Sequence, residues 1–180
     1  MEQRCLDKLK FEIQIQAKNG IDFIVSAGIL WLIIVLIWLQ EFSSYNKSVF
    51  TFILASAMLP LAFCLSKAFK TNWKIKNNPL QPLGLWLNFA QLVYFPILFF
   101  VLTKYPDHFI LVYAIITGAH LFPYAWFYDE AGYAVASILI STGSFIIALF
   151  FDSTMSWLIP LFTSISLFIL AISIFIRLKK

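Results

Sequence analysis

Five polar side chains inside two long apolar runs have the chemistry to hold a polar group away from water. One run carries Asn88, Gln91 and Tyr94; the other carries His120 and Tyr124. Asn88 and Gln91 are three residues apart and Tyr94 three further on, so a helix puts them on one face. His120 and Tyr124 are four apart and share a face in the same way. Amides and phenols both donate and accept hydrogen bonds, and an imidazole can also move a proton. An uncompensated amide in hydrocarbon costs several kcal/mol, so these groups should point inward rather than to lipid.

Depth gives a pairing. At about 1.5 Å per residue, Asn88 lies roughly 7 Å and Gln91 roughly 12 Å from the cytoplasmic start of its run. The next run returns, and counting back from Tyr128 puts Tyr124 about 6 Å in and His120 about 12 Å in. Gln91 therefore matches His120, and Asn88 matches Tyr124, as a two-layer polar ladder if the two runs are neighbours. Ser26, Ser137, Ser141 and Thr142 lie at similar depths on other runs. Trp31 sits near the middle of the first run, away from the interfacial belt where tryptophan is usually enriched. Pro60, Pro96, Pro123 and Pro160 each remove an N–H and could kink four runs.

The elements that must position these residues are membrane spans. The chain has 180 residues, of which 61% are hydrophobic and 12% charged. Charged residues make up about a quarter of a soluble domain, so the natural solvent here is lipid. Six apolar segments approach the ~20 residues needed to cross a bilayer, at 21–39, 49–69, 83–102, 109–128, 133–151 and 157–176. Long continuous runs exclude the alternating strands of a β-barrel. The expected fold is all-α: a single domain over 21–180 forming a six-helix transmembrane bundle with short connections. Residues 1–20 precede it. There Leu6, Leu9, Ile13 and Ala17 share a helical face, whereas Phe11 and Ile15 lie off it, which reads as a short interfacial amphipathic helix. A strand over Phe11–Gln16 competes with that reading. The first twenty residues show no cleavable signal peptide.

Orientation follows from the basic residues. With the N-terminus inside, the cytoplasmic side carries Arg4, Lys8, Lys10, Lys18, Lys67, Lys70, Lys74, Lys76, Arg177, Lys179 and Lys180, and the outer side carries Lys47 and Lys104. Eleven against two is a strong positive-inside bias. Both termini are then cytoplasmic, in an inner, cytoplasmic membrane. The net charge of +4 is read as this topology signal and not as a nucleic-acid surface. Contact of Lys70-Thr-Asn-Trp-Lys-Ile-Lys76 with anionic headgroups is the competing reading.

Several chemistries find no support. His108 and His120 are about 18 Å apart along one helix and cannot share a metal ion. Neither a phosphate-binding loop, a dinucleotide fingerprint nor an HExxH pattern occurs. No cofactor and no metal is expected. Ser141 could meet His120 by depth, but Ser141-Thr-Gly-Ser144 is not a nucleophile elbow. Asp22 reads as a solvated or helix-end carboxylate, and Asp107-His108 as a polar turn. Cys64 reads as a small core residue; with Cys5 it makes no disulfide framework.

The combination Asn78-Pro-Leu80, Leu83-Gly-Leu85, Asn88-Phe-Ala-Gln91-Leu-Val-Tyr94-Phe-Pro96 and Ile115-Ile-Thr-Gly118-Ala-His120-Leu-Phe-Pro123-Tyr124 resembles an uncharacterised family of small bacterial multi-span inner-membrane proteins, a domain of unknown function. The resemblance runs from about residue 10 and implies no activity, cofactor or catalytic residue. The residues themselves favour a protein that binds, senses or translocates a small or lipid-like molecule. Its polar-aromatic pocket would lie in the cytoplasmic half, lined by His120, Tyr124, Gln91, Asn88, Tyr94 and Trp31. Two alternatives stay open: a membrane-embedded enzyme acting on a lipid with His120 as acid or base, and a non-catalytic scaffold or assembly partner in which the polar set is interhelical glue. A bundle this small is compatible with a homodimer.

Overall fold

The computed structural model describes residues 2–178, and every regular element among them is helical. The N-terminal segment is helix α1, Glu2–Ala17, which settles the helix-or-strand alternative. Its Leu6–Leu9–Ile13 face explains the choice: Ile13 is buried against the bundle while Phe11 and Ile15 are exposed. The helix stops at Lys18, Asn19 and Gly20, whose φ values are all left-handed at 47°, 51° and 67°. Gly20 suits this corner twice, because a Cβ there would meet the hydroxyl of Tyr128 at 3.0 Å and that of Tyr133 at 3.2 Å.

Eight helices follow: α2 (Ile21–Trp38), α3 (Ser44–Ala55), α4 (Met58–Phe69), α5 (Gln81–Leu92), α6 (Phe95–Lys104), α7 (Phe109–Phe127), α8 (Ala131–Phe150) and α9 (Leu158–Arg177). Five continuous helical stretches are long and apolar enough to cross a membrane: Cys5–Trp38, Gln81–Lys104, Pro106–Phe127, Ala131–Phe150 and Ser153–Arg177. The pair α3 and α4, bent by 41°, passes the same test only when taken together, so the number is five or up to six. The prolines explain both breaks. Pro60 cannot donate to the Ser56 carbonyl, nor Pro96 to that of Leu92, and the helix is interrupted just before each. Pro123 sits inside an unbroken α7 and Pro160 in the first turn of α9, where no N–H is needed, so neither splits its helix.

Helix packing runs as an arc in the order α4, α2, α9, α8, α7, α5. The two ends of the arc, α4 and α5, make at most a marginal contact with each other. In the other half of the bundle α3 closes on α6 through Phe52, whose ring lies 5.4 Å from Phe95 and 5.1 Å from Phe99. The bundle is therefore closed at one half and open on one side at the half nearest α1.

Small residues set the tight crossings. Ser164 donates to the Gly28 carbonyl across α9 and α2 at 2.9 Å. At Gly118 a Cβ would stand 2.5 Å from Ser141 Oγ and 3.0 Å from the Ser141 backbone nitrogen. A flexible side chain can move aside but the backbone of α8 cannot. Gly118→Val should therefore force α7 from α8 and destabilise the fold by about 1–3 kcal/mol, read as a lower midpoint in detergent thermal or SDS unfolding; an unchanged midpoint would show that the crossing is looser than described.

Candidate functional site

The helix period gathers one polar-aromatic stripe on α7. Tyr113, Thr117, His120 and Tyr124 follow at spacings of four, three and four, so they line a single face. At its far end Tyr113 stacks on Trp31 of α2, with ring centroids 5.1 Å apart. Trp31 is only 3% exposed and bridges α2 to α7. His120 is half-buried and meets the Tyr124 ring edge-on at 5.4 Å. Thr117 is buried, and its Oγ1 has no hydrogen-bond partner. A helical threonine ordinarily bonds back to the carbonyl three or four residues earlier.

The expected ladder forms in one layer and not in the other. Tyr124 donates its hydroxyl to the Gly84 carbonyl at 3.4 Å, and Asn88 Nδ2 donates to the same carbonyl at 3.0 Å. Asn88 and Tyr124 thus meet through backbone and not directly. Among the described residues no hydrogen bond joins Gln91 to His120. Gln91 shares the α5 register with Asn88, so equal depth alone does not bring it to His120; the break before Phe95 takes only Tyr94 out of that register. Gln91 is half-buried, and Tyr94, at the junction, is 44% exposed on the outer surface.

Other candidates are engaged elsewhere. Ser26 donates to the Asp22 carbonyl of its own helix at 2.7 Å. Ser141 donates to the Ile115 carbonyl at 3.4 Å and lies against Gly118. Gly118 is about 200° around α7 from His120, so a Ser141–His120 couple does not form. Among the described residues no three His, Cys, Asp or Glu side chains converge as metal ligands. Cys64 is exposed rather than a core residue, because it lies on the outer face of α4. A small depression lies at the end away from α1, between Asp107, His108, Asp152 and Ile159. The α7 stripe itself runs from Trp31 of α2 to Gly84 of α5, on the side where the two ends of the arc fall.

One residue is more important than the sequence implied. Asp22 is not solvated: it is 1% exposed. Its carboxylate accepts from the Phe23 N–H at 3.1 Å, the Thr71 hydroxyl at 2.7 Å and the Trp73 indole N–H at 2.6 Å. Trp73 also stacks on Phe23 at 4.9 Å. Beside this node Tyr124, Tyr128 and Tyr133 pack ring on ring, and Tyr133 donates to the Asn19 carbonyl. The available signal was a single carboxylate opening an uncharged helix.

A family of unknown function (DUF7010) matches residues 6–177. The chain belongs to this family. The resemblance carried by the runs around Asn88 and His120 therefore holds, at the level of an uncharacterised family. No curated protein matches the chain, and no solved structure does. DUF7010 brings no activity with it, so functional argument rests on the residues themselves.

Removing the Asp22 carboxylate leaves the Thr71 and Trp73 donors unmet. Asp22→Ala should cost about 1.5–3 kcal/mol, the range for hydrogen bonds to a charged group. It should also expose residues 70–76 to limited proteolysis; cleavage and unfolding at wild-type rates would mean the node does not hold this segment.

Proposed function

We propose that this DUF7010 chain is a multi-pass protein of the inner, cytoplasmic membrane that binds a small amphipathic or lipid-like molecule for sensing or translocation. The binding surface is the α7 stripe where the bundle is open between α4 and α5. It is a groove with lateral access rather than a closed pocket. In this reading the bent pair α3–α4 counts as one span, which gives six, and both termini are cytoplasmic. Support for the orientation comes from two ion pairs. Lys10 lies 3.8 Å from Asp129 and Arg177 lies 3.0 Å from Glu130, so α1, the α7–α8 turn and the end of α9 share one side of the bundle. The segment that carries Lys70, Lys74 and Lys76 is tied to α1 through Asn78 and so lies on that side too, as the positive-inside count expects of the cytoplasmic face.

The observation that carries the function is Thr117 Oγ1, buried without a partner one turn from a half-buried histidine. Interhelical glue makes bonds across helices. Such bonds exist in this bundle, as in Ser164 to Gly28 and in the Trp38 indole N–H to Thr51 at 3.0 Å. Thr117 and His120 make none, so they are available to a guest. Asn88 and Tyr124, which converge on the Gly84 carbonyl, serve as the groove's inner wall.

The test is native mass spectrometry of protein extracted in mild detergent. The wild type should retain a bound mass. Thr117→Val with His120→Ala should lower its occupancy about ten-fold, equivalent to ~1.4 kcal/mol, with little change in thermal midpoint. A lower midpoint with unchanged retention would instead assign these residues to structural glue.

A further inference from the structure

We propose that the guest is an anionic phospholipid drawn sideways from the inner leaflet between α4 and α5, its phosphate held by Lys67, Lys70 and Lys74. This rests on the groove reading above and adds the chemical class of its occupant.

The segment joining α4 to α5 is built in a way that a topology signal does not require. Thr71, Trp73 and Ile75 turn inward: Thr71 and Trp73 bind Asp22, and Ile75 is buried in the core. Lys70, Asn72, Lys74 and Lys76 alternate with them and are exposed. The period of two puts every lysine of the segment on the outer side. A positive-inside signal needs only the charges, in any conformation.

Further ties fix the frame. Gln81 Nε2 donates to the Trp73 carbonyl at 2.9 Å, and Asn78 Nδ2 donates to the Leu9 carbonyl and to Glu12, each at 2.9 Å. Lys67, in the last turn of α4, holds its ammonium 4.5 Å from the centre of the Phe63 ring. Phe63 in turn packs edge-on to Trp73 at 5.9 Å. None of Lys67, Lys70, Lys74 or Lys76 forms an ion pair among the described residues, where Lys10 and Arg177 take the acidic partners.

Charge alone would suit any soluble anion. The surface around these lysines narrows the choice. On the two helices that the segment joins, Leu59 and Phe63 of α4 and Leu85 and Trp86 of α5 are exposed, Trp86 by 69%. No residue of α5 is buried. Cations at the edge of a hydrocarbon-facing surface match a molecule with a phosphate at one end and acyl chains at the other. Each lysine near such headgroups contributes about 1 kcal/mol, so three of them supply headgroup selectivity while the groove supplies contact with the chains.

The test uses the full chain in mild detergent, titrated with phosphatidylglycerol and with phosphatidylcholine of the same acyl chains, bound lipids being counted by native mass spectrometry. Phosphatidylglycerol should be retained about ten-fold better. The preference should vanish in Lys67→Gln/Lys70→Gln/Lys74→Gln, survive in the corresponding triple Arg variant, and survive in Lys47→Gln/Lys104→Gln. Equal retention of the two lipids, or a preference unchanged in the Gln triple variant, overturns the anionic assignment and leaves the groove reading standing. A headgroup preference that persists with undiminished occupancy in Thr117→Val/His120→Ala overturns the groove, and leaves the lysines as a surface site only.

Discussion

The buried Asp22 carboxylate is the tie on which the α1 side of this bundle depends. A charge with 1% exposure and no cation beside it must be met by donors, and by the favourable potential of a helix N-terminus. Asp22 sits in the first turn of α2 and takes three donors. Two of them come from the segment after α4, so that segment is drawn under the first turn of α2. Trp73 then passes the constraint on through its carbonyl to Gln81, the first residue of α5. One carboxylate thus positions the end of α4, the connecting segment and the start of α5, while Asn78 ties the same segment to α1.

That constraint explains how an open arc is stable. α4 and α5 need not pack on each other, because each is fixed at its α1 end through the Asp22 node and along its length by α2 or α7. The gap this leaves would be unfavourable if polar groups faced hydrocarbon without partners. On the α7 stripe Tyr124 meets the Gly84 carbonyl, to which Asn88 of α5 also donates, whereas Thr117 and His120 make no hydrogen bond among the described residues. The unmet pair lies on the α7 face that also packs on α5, between the stacked rings of Trp31 and Tyr113 and the Gly84 contact.

What the sequence revealed follows from range. The helix of residues 2–17 was legible because Leu6, Leu9 and Ile13 recur at helical spacing, a local pattern. The apolar runs were legible for the same reason, although the run over 83–102 is two helices and that over 49–69 a bent pair. Depth counting found the Asn88–Tyr124 layer, since both runs hold register at that level. It matched Gln91 to His120, yet no hydrogen bond joins them among the described residues, because depth along a helix does not fix which way around it a side chain points. Asp22 does open a helix as read, but its burial escaped notice because its partners Thr71 and Trp73 are 49 and 51 residues away. The Tyr133–Asn19 contact spans 114 residues, and no periodicity reports contacts of that separation.

The corner at Lys18–Asn19–Gly20 shows how the fold uses local strain. Without it, the amphipathic α1 would run on into the apolar α2, and Cys5–Trp38 would be one helix of 34 residues. At 1.5 Å per residue that is about 51 Å, far more than the ~30 Å of a hydrocarbon core. Left-handed backbone at two non-glycine residues costs about 1–2 kcal/mol each. Three contacts offset it. Tyr133 donates to the Asn19 carbonyl, the Lys18 ammonium donates to the Phe69 carbonyl at 2.8 Å, and Tyr128 and Tyr133 pack where Gly20 has no side chain. The turn converts an over-long helix into one span and one floor. Only a floor in that position lets Leu9 and Glu12 receive Asn78, and lets Lys10 reach Asp129 and the face of Trp126. The strained corner and the buried carboxylate are therefore two parts of one device. The first lays α1 across the end of the bundle, and the second holds the lysine segment, tied to α1 through Asn78, between the end of α4 and the start of α5.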